Sequence, residues 1–164
     1  MPGVNLKMAK VIKVVINMGL GESGKEKDYL ARAMEDLAVI TGQKPRLTTA
    51  RLSVAEFRLR KGDPSGLMVT LRGKRMSAFL TRFFKVVLPR FRDFQGLKMR
   101  GFDRAGNYNL GVAEQVVFPE IEASKVDKIR GFQITIVSEA ASIEEAKAEL
   151  EKWGAMFEKE KKHG

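Results

Sequence analysis

Three glycines and a lysine follow an apolar run in the stretch Val14-Val15-Ile16-Asn17-Met18-Gly19-Leu20-Gly21-Glu22-Ser23-Gly24-Lys25. Gly19, Gly21 and Gly24 have the spacing G-x-G-x-x-G, which in dinucleotide-binding folds seats a pyrophosphate on a helix N-terminus. Gly19, Gly24 and Lys25 also have the spacing G-x-x-x-x-G-K of a phosphate-binding loop, without its final Ser or Thr. Either match would make the chain a nucleotide-binding enzyme with Lys25 on the phosphates. The residue types argue against both. Ser23 and Glu26 spell S-x-x-E, which predicts a capping box that satisfies the helix amides a phosphate would need. Glu26 also puts a carboxylate where a magnesium-holding hydroxyl belongs. No acidic residue some twenty positions on follows an apolar strand to hold a ribose. The stretch reads as an ordinary strand, turn and helix, and a nucleotide-binding enzyme using Gly19 to Lys25 stands as the alternative function.

Composition narrows the classes further. The chain has 164 residues, enough for one domain with a buried core. It has no cysteine, which excludes thiolate chemistry and disulfides, and its one histidine, His163, lies in a charged tail and points to no metal site. No apolar run approaches the ~20 residues that span a bilayer. The formal charge is +10, and it is unevenly spread: residues 1–43 carry +1, residues 44–104 carry +12 and residues 105–164 carry −3. A localised excess of that size calls for a polyanion. The basic residues are scattered through strands and loops rather than along one amphipathic helix, so nucleic acid fits better than a membrane surface.

Periodicity supplies the elements. After an irregular lead-in over 1–10, Ile12, Val14, Ile16 and Met18 alternate with polar partners as a strand. A helix follows with Leu30, Met34, Leu37 and Thr41 on one side and Gly42 as its left-handed cap. A short polar strand is expected from Pro45 to Arg51. Residues 53–66 read as a mobile basic loop or hairpin, with Gly62 to Gly66 as its turn. Leu67 to Arg72 alternates as a strand, and a helix from Lys74 to Leu88 buries Met76, Phe79, Leu80, Phe83 and Val87. Arg90 to Gly111 is irregular, with Tyr108 and Leu110 entering a strand. Further strands are expected at Glu114 to Phe118 and Gly131 to Val137, with a turn and short helix between them. Ser142 and Glu145 cap a last helix, and 158–164 fray. These elements make a single α+β domain over residues 1–164. Its sheet is mainly antiparallel and one-sided, with helices on one face. The opposite face is polar and basic, carrying Lys13, Asn17, Thr70, Arg72, Gln133 and Thr135. Such a face suits RNA, and its lack of aromatic residues implies contacts to phosphate, ribose and shape.

Several blocks carry a resemblance. They include Val15-Ile16-Asn17-Met18-Gly19-Leu20-Gly21-Glu22, Ile40-Thr41-Gly42-Gln43-Lys44-Pro45, Val69-Thr70-Leu71-Arg72-Gly73, Leu88-Pro89-Arg90, Asp93-Phe94-Gln95-Gly96, Gly106-Asn107-Tyr108, Phe118-Pro119-Glu120 and Val126-Asp127-Lys128-Ile129-Arg130-Gly131. In this order they resemble the bacterial-type ribosomal protein L five family. The resemblance implies a non-enzymatic protein of the cytoplasmic ribosome, or of an organellar one, without cofactor or metal. Its implied partners are 5S rRNA in the central protuberance, large-subunit rRNA, peptidyl-site (P-site) tRNA and a small-subunit protein across the interface. Carried over by motif, the rRNA contacts are Asn17, Gln43, Lys44, Thr49, Arg51, Thr70 and Arg72. The tRNA-facing loop corresponds to Val54 to Gly66, with Arg58, Arg60 and Lys61. Glu56 and Ser65 depart from the family's usual Gly and Ile, and the family's helix before the first strand has no counterpart here.

Overall fold

A computed structural model describes residues 9–53, 55 and 60–159. Most of the lead-in, Arg58 with its neighbours in the basic loop, and the tail with His163 lie outside them. Five strands form one antiparallel sheet: β1 (Lys10–Gly19), β2 (Arg46–Thr49), β3 (Pro64–Leu71), β4 (Tyr108–Val112) and β5 (Phe132–Glu139), in the order β2-β3-β1-β5-β4. The helices are α1 (Lys27–Thr41), α2 (Gly73–Arg82) and α3 (Ile143–Lys152).

The alternation in β1 explains the layering. Val14, Ile16 and Met18 are at most 1% exposed and meet Leu71, Val69 and Leu67 on β3 and Ile136 and Ile134 on β5. Burying each such side chain contributes about 1.5–3 kcal/mol, so the helices gather on this face. Ile12 is the exception to the expected pattern. A bulge between Val11 and Lys13 shifts the register. Val11 is buried as a result, and Ile12 is 41% exposed. In α1 the buried stripe is Ala33, Leu37, Ile40 and Thr41, with Leu30 and Met34 only half-buried, a rotation from the expected face. Gly42 ends the helix at φ 74°, in the left-handed region its position implies. Its amide donates to the Ala38 carbonyl at 2.8 Å.

Four expectations are corrected. The Ser23/Glu26 capping box does not form: Gly21–Lys25 is a short 3₁₀ turn, α1 starts at Lys27, and the Glu26 amide donates to the backbone carbonyl of Ser23. Gly21, at φ 57°, turns the chain too early for Ser23 to sit at the cap. The cap at Ser142 does form, its hydroxyl accepting from the Glu145 amide at 3.2 Å. The long helix ends its α-helical part at Arg82 and continues as a π turn, Phe83–Val87. The wider turn buries the consecutive Phe83 and Phe84 together. A regular α-helix, at about 3.6 residues per turn, would not align them. Pro64 to Gly66 belong to β3 rather than to a turn, so the β2–β3 connection closes at Asp63. Glu114 to Phe118 is not a strand, because Gln115–Val117 is a 3₁₀ turn around a buried Gln115.

That glutamine begins a network. Its side chain accepts from the Arg130 amide at 2.7 Å and donates to the Lys128 carbonyl at 2.8 Å. Arg130 is 4% exposed, pairs with Asp36 of α1 at 2.9 Å and Asp127 at 3.1 Å, and lies 4.6 Å from the Tyr29 ring centre. Burial pushes the Asp36 carboxyl above its ordinary value despite Arg130. The Arg32 guanidinium, 2.8 Å from Asp127, leads in holding that carboxyl at about 2. Asp127's stabilising contribution is therefore full above its ordinary 3.8 and is lost as pH falls toward 2. Asp36 opposes it, since its ionised form is disfavoured in the fold. Removing a buried ion-pair member strands its partners. Arg130→Ala should lower the unfolding free energy by about 3–5 kcal/mol in urea titrations; a loss under ~1 kcal/mol would show that the network does not tie α1 to the loop.

Candidate nucleic-acid interface

The face of the sheet opposite the helices is built from side chains that alternate away from the core. Across it, Arg46, Met68, Asn17 and Gln133 align in one row through the β2-β3-β1-β5 register. Thr70, Val15, Thr135 and Asn109 align in the next. No aromatic residue occupies these rows. In a third row Gly66 pairs with Gly19 and with Thr48. Gly19 is exposed with open space beside its α-carbon, whereas Gly66 is buried, and a Cβ on it would sit 2.9 Å from the Met18 carbonyl and 3.2 Å from the Thr48 hydroxyl.

The end of α1 brings in the next residues. Thr41 donates to the Leu37 carbonyl and accepts from the Gln43 amide, which fixes Gln43 just beyond Gly42. The Gln43 amide nitrogen donates to the Thr70 carbonyl at 3.1 Å, at a point where β2 has not yet begun to pair with β3. The Gln43 oxygen accepts from Arg75 at 3.1 Å. Arg72 is exposed at the N-cap position of α2. The first turn of α2 has no acidic residue and no side-chain cap, and it carries Lys74 and Arg75. Cations at a helix N-terminus oppose the helix dipole by about 0.3–1 kcal/mol each. A bound anion reverses that penalty.

Of the expected contacts, the structure brings Gln43, Thr70 and Arg72 together, with exposed Lys44 beside Gln43. Asn17 faces the same way on β1, one register row from Thr70. Thr49 and Arg51 are exposed, toward the other end of β2 and beyond it. The length of β2 puts Thr49 about 10 Å along the strand from Arg46. Arg60 and Lys61 are exposed on the turn beyond, where Asp63 accepts from the Arg60 amide at 2.8 Å. Sequence reasoning missed Arg46, Lys74 and Arg75. Arg46 had a readable signal, its alternation with Leu47; Lys74 and Arg75 had none until α2 was placed.

The glycine turn does something else. A Cβ on Gly24 would sit 2.9 Å from the Leu20 Cβ and 3.2 Å from the Pro64 carbonyl, so this glycine is needed for close packing against β3. Lys25 pairs with Asp63 at 3.3 Å. Among the described residues no group of acidic or histidine side chains could hold a metal ion, and no helix is long and apolar enough to cross a membrane.

Comparison with known proteins decides the family. The family model described as "Ribosomal protein L5" matches residues 6–60, and the model for the C-terminus of the same ribosomal family matches residues 64–157. The chain belongs to the ribosomal protein L5 family. It is 50% identical over 154 residues to a "Large ribosomal subunit protein uL5" of Thermoanaerobacter sp. (strain X514), an alignment covering 94% of this chain and 86% of that one. It is 52% identical over 145 residues to a protein of the same description from Ralstonia nicotianae, covering 88% and 81%. L5 proteins are structural, RNA-binding proteins of the large ribosomal subunit that work in translation in the cytoplasm, and they are not enzymes. The nucleotide-enzyme alternative is thereby removed, and close packing against β3 gives Gly24 of this chain its physical reason. Gly24→Ala should destabilise by about 1–3 kcal/mol through overpacking, and Lys25→Ala by under ~1 kcal/mol. Saturable ATP binding that vanished in Lys25→Ala would contradict this.

Proposed function

We propose that this L5 chain binds 5S rRNA with the outer face of its sheet. One observation carries the reading: Gln43, Thr70, Arg72, Lys74 and Arg75 converge where the end of α1, the end of β3 and the start of α2 meet. There, uncapped helix amides and cations face outward with no aromatic residue among them. Phosphate oxygens satisfy the amides and guanidinium groups, ribose hydroxyls suit Asn17 and Thr70, and the open space at Gly19 admits the backbone. Contacts to large-subunit rRNA and, through the connection carrying Arg58, Arg60 and Lys61, to P-site tRNA complete the reading by family resemblance. So does a small-subunit protein across the subunit interface.

Titrating 5S rRNA against the chain tests it. Arg72→Ala should weaken binding by about 1–3 kcal/mol, as for a charge-assisted hydrogen bond. With about six phosphates neutralised, log affinity should fall with log salt at a slope of about −4 to −5. Replacing residues 55–61 by a short glycine linker should leave 5S affinity unchanged. A salt-independent affinity, or wild-type affinity in Arg72→Ala, would remove the face from consideration.

A further inference from the structure

The edge of the sheet formed by β4 borders a cavity of about 420 Å³ between that strand and the segment from Leu88 to Gly101. Its apolar lining includes Phe91, Phe94, Leu97 and Leu110, and Arg92, Lys98 and Arg100 stand on it as exposed cations. The wall is stiff. The Leu97 amide donates to the Met156 carbonyl at 2.7 Å, and the Leu97 carbonyl accepts from the Glu158 amide at 2.9 Å. Glu158 is thus tied down, where the sequence pattern suggested fraying. The Tyr108 hydroxyl donates to the Lys98 carbonyl at 2.9 Å, and burial pushes that phenol up to about 12, so it remains a donor. Cβ atoms on Gly96 and Gly101 would come within 2.5 Å and 2.6 Å of the chain at Glu158 and of the Tyr108 ring, so the loop can lie this close only with glycine there. Asp93, on the same wall, has φ 54°, the one positive value at a non-glycine among the described residues.

The segment bordering this cavity is rich in exposed cations. Arg90, Arg92, Lys98, Arg100 and Arg104 are all exposed, and none pairs with a carboxylate among the described residues. On the helical side Arg32, Arg82, Arg130, Lys147 and Lys152 are paired, and Lys27 and Lys85 pair with no carboxylate among the described residues. Three exposed cations on a preformed, partly aromatic cavity, Arg92, Lys98 and Arg100, outnumber the carboxylates of Asp93 and Glu158 on its lining and fit an anionic strand that also inserts a flat apolar group. Beyond the bridge between Phe102 and Tyr108, the outer edge of β4 adds backbone N–H and C=O groups for that group's polar rim.

We propose that this cavity holds an unstacked base of an RNA strand, whose neighbouring phosphates lie on Arg92, Lys98 and Arg100. The strand is a different RNA segment from the one on the outer face. β2 and β4 are opposite edges of the five-stranded sheet. At the usual strand spacing those edges are about 19 Å apart. The inference extends the RNA-binding reading but rests on a separate set of residues.

A hexauridylate with one central 4-thiouridine, an abasic hexamer and 5S rRNA would be titrated against the full chain, with photo-crosslinks mapped by mass spectrometry. Crosslinks should fall within 91–101 or 108–111, and the abasic hexamer should bind about five- to a hundredfold more weakly. Phe94→Ala should reduce hexauridylate affinity by a similar factor. Arg92→Ala with Arg100→Ala, both at exposed positions, should reduce it without altering the unfolding midpoint. Neither change should move 5S affinity more than twofold. Equal affinity for the abasic hexamer, or crosslinks confined to the outer face, would overturn the proposal and leave the β4 edge to a peptide strand. A matching loss of 5S affinity would also overturn it, by merging the two sites. Wild-type chain that bound the hexamer in the pocket but not 5S rRNA would instead remove the outer-face reading alone.

Discussion

The fold depends on one asymmetry, that of β1. Its even-numbered side chains from Val14 to Met18 are almost fully buried, and its odd-numbered ones face outward. As the central strand of five, β1 imposes that division on β3 and β5 through direct register. The apolar side chains of β1 lie on one side, so α1, α2 and α3 cover that side, and no described helix covers the other. A one-sided antiparallel sheet is stable in water because its exposed face is polar. The same polarity makes that face available to RNA.

Holding the helices in place requires more than burial. α1 is tied to the loop before β5 by Arg130, which bridges Asp36 and Asp127. Its other end is tied to β3 by Gln43. Buried ion pairs add little net stability when compared with apolar packing, but they fix geometry because their loss is costly. The position of Gln43 relative to Thr70, and so the shape of the interface, follows from where α1 is held. The less exposed cations Arg82 and Arg130 are neutralised by carboxylates, whereas exposed Arg72, Lys74, Arg92, Lys98 and Arg100 pair with none among the described residues.

Much of the architecture was legible in the sequence because it is carried by short-range pattern. β1, β3 and β5 alternate with period two, and Gly42 and Ser142 mark helix ends by local chemistry. Reading failed where long-range partners decide. Ser23 and Glu26 have the letters of a capping box, but Gly21 turns the chain first. Val116, Val117 and Phe118 look like a strand, yet Gln115 is spent on Lys128 and Arg130. Arg130 looks like a surface charge until Asp36, 94 residues away in sequence, is brought beside it. At the candidate interface, Asn17, Thr70 and Arg72 were legible from strand alternation, and the family blocks supplied Gln43. Lys74 and Arg75 acquire meaning only from their position at the start of α2. The β4 cavity had no signal, because Leu97 meets the 156–158 segment only in the folded chain.

The central claim is that the uncovered face, and not the helical one, meets 5S rRNA. Hydrogen–deuterium exchange with and without saturating 5S rRNA tests it most directly. Slowed exchange should concentrate in β2, the ends of β1 and β3, residues 42–45 and the first turn of α2, with α3 and the middle of α1 unchanged. Protection centred on α3 and the outer side of α1, with β2 and the start of α2 unaffected, would contradict it.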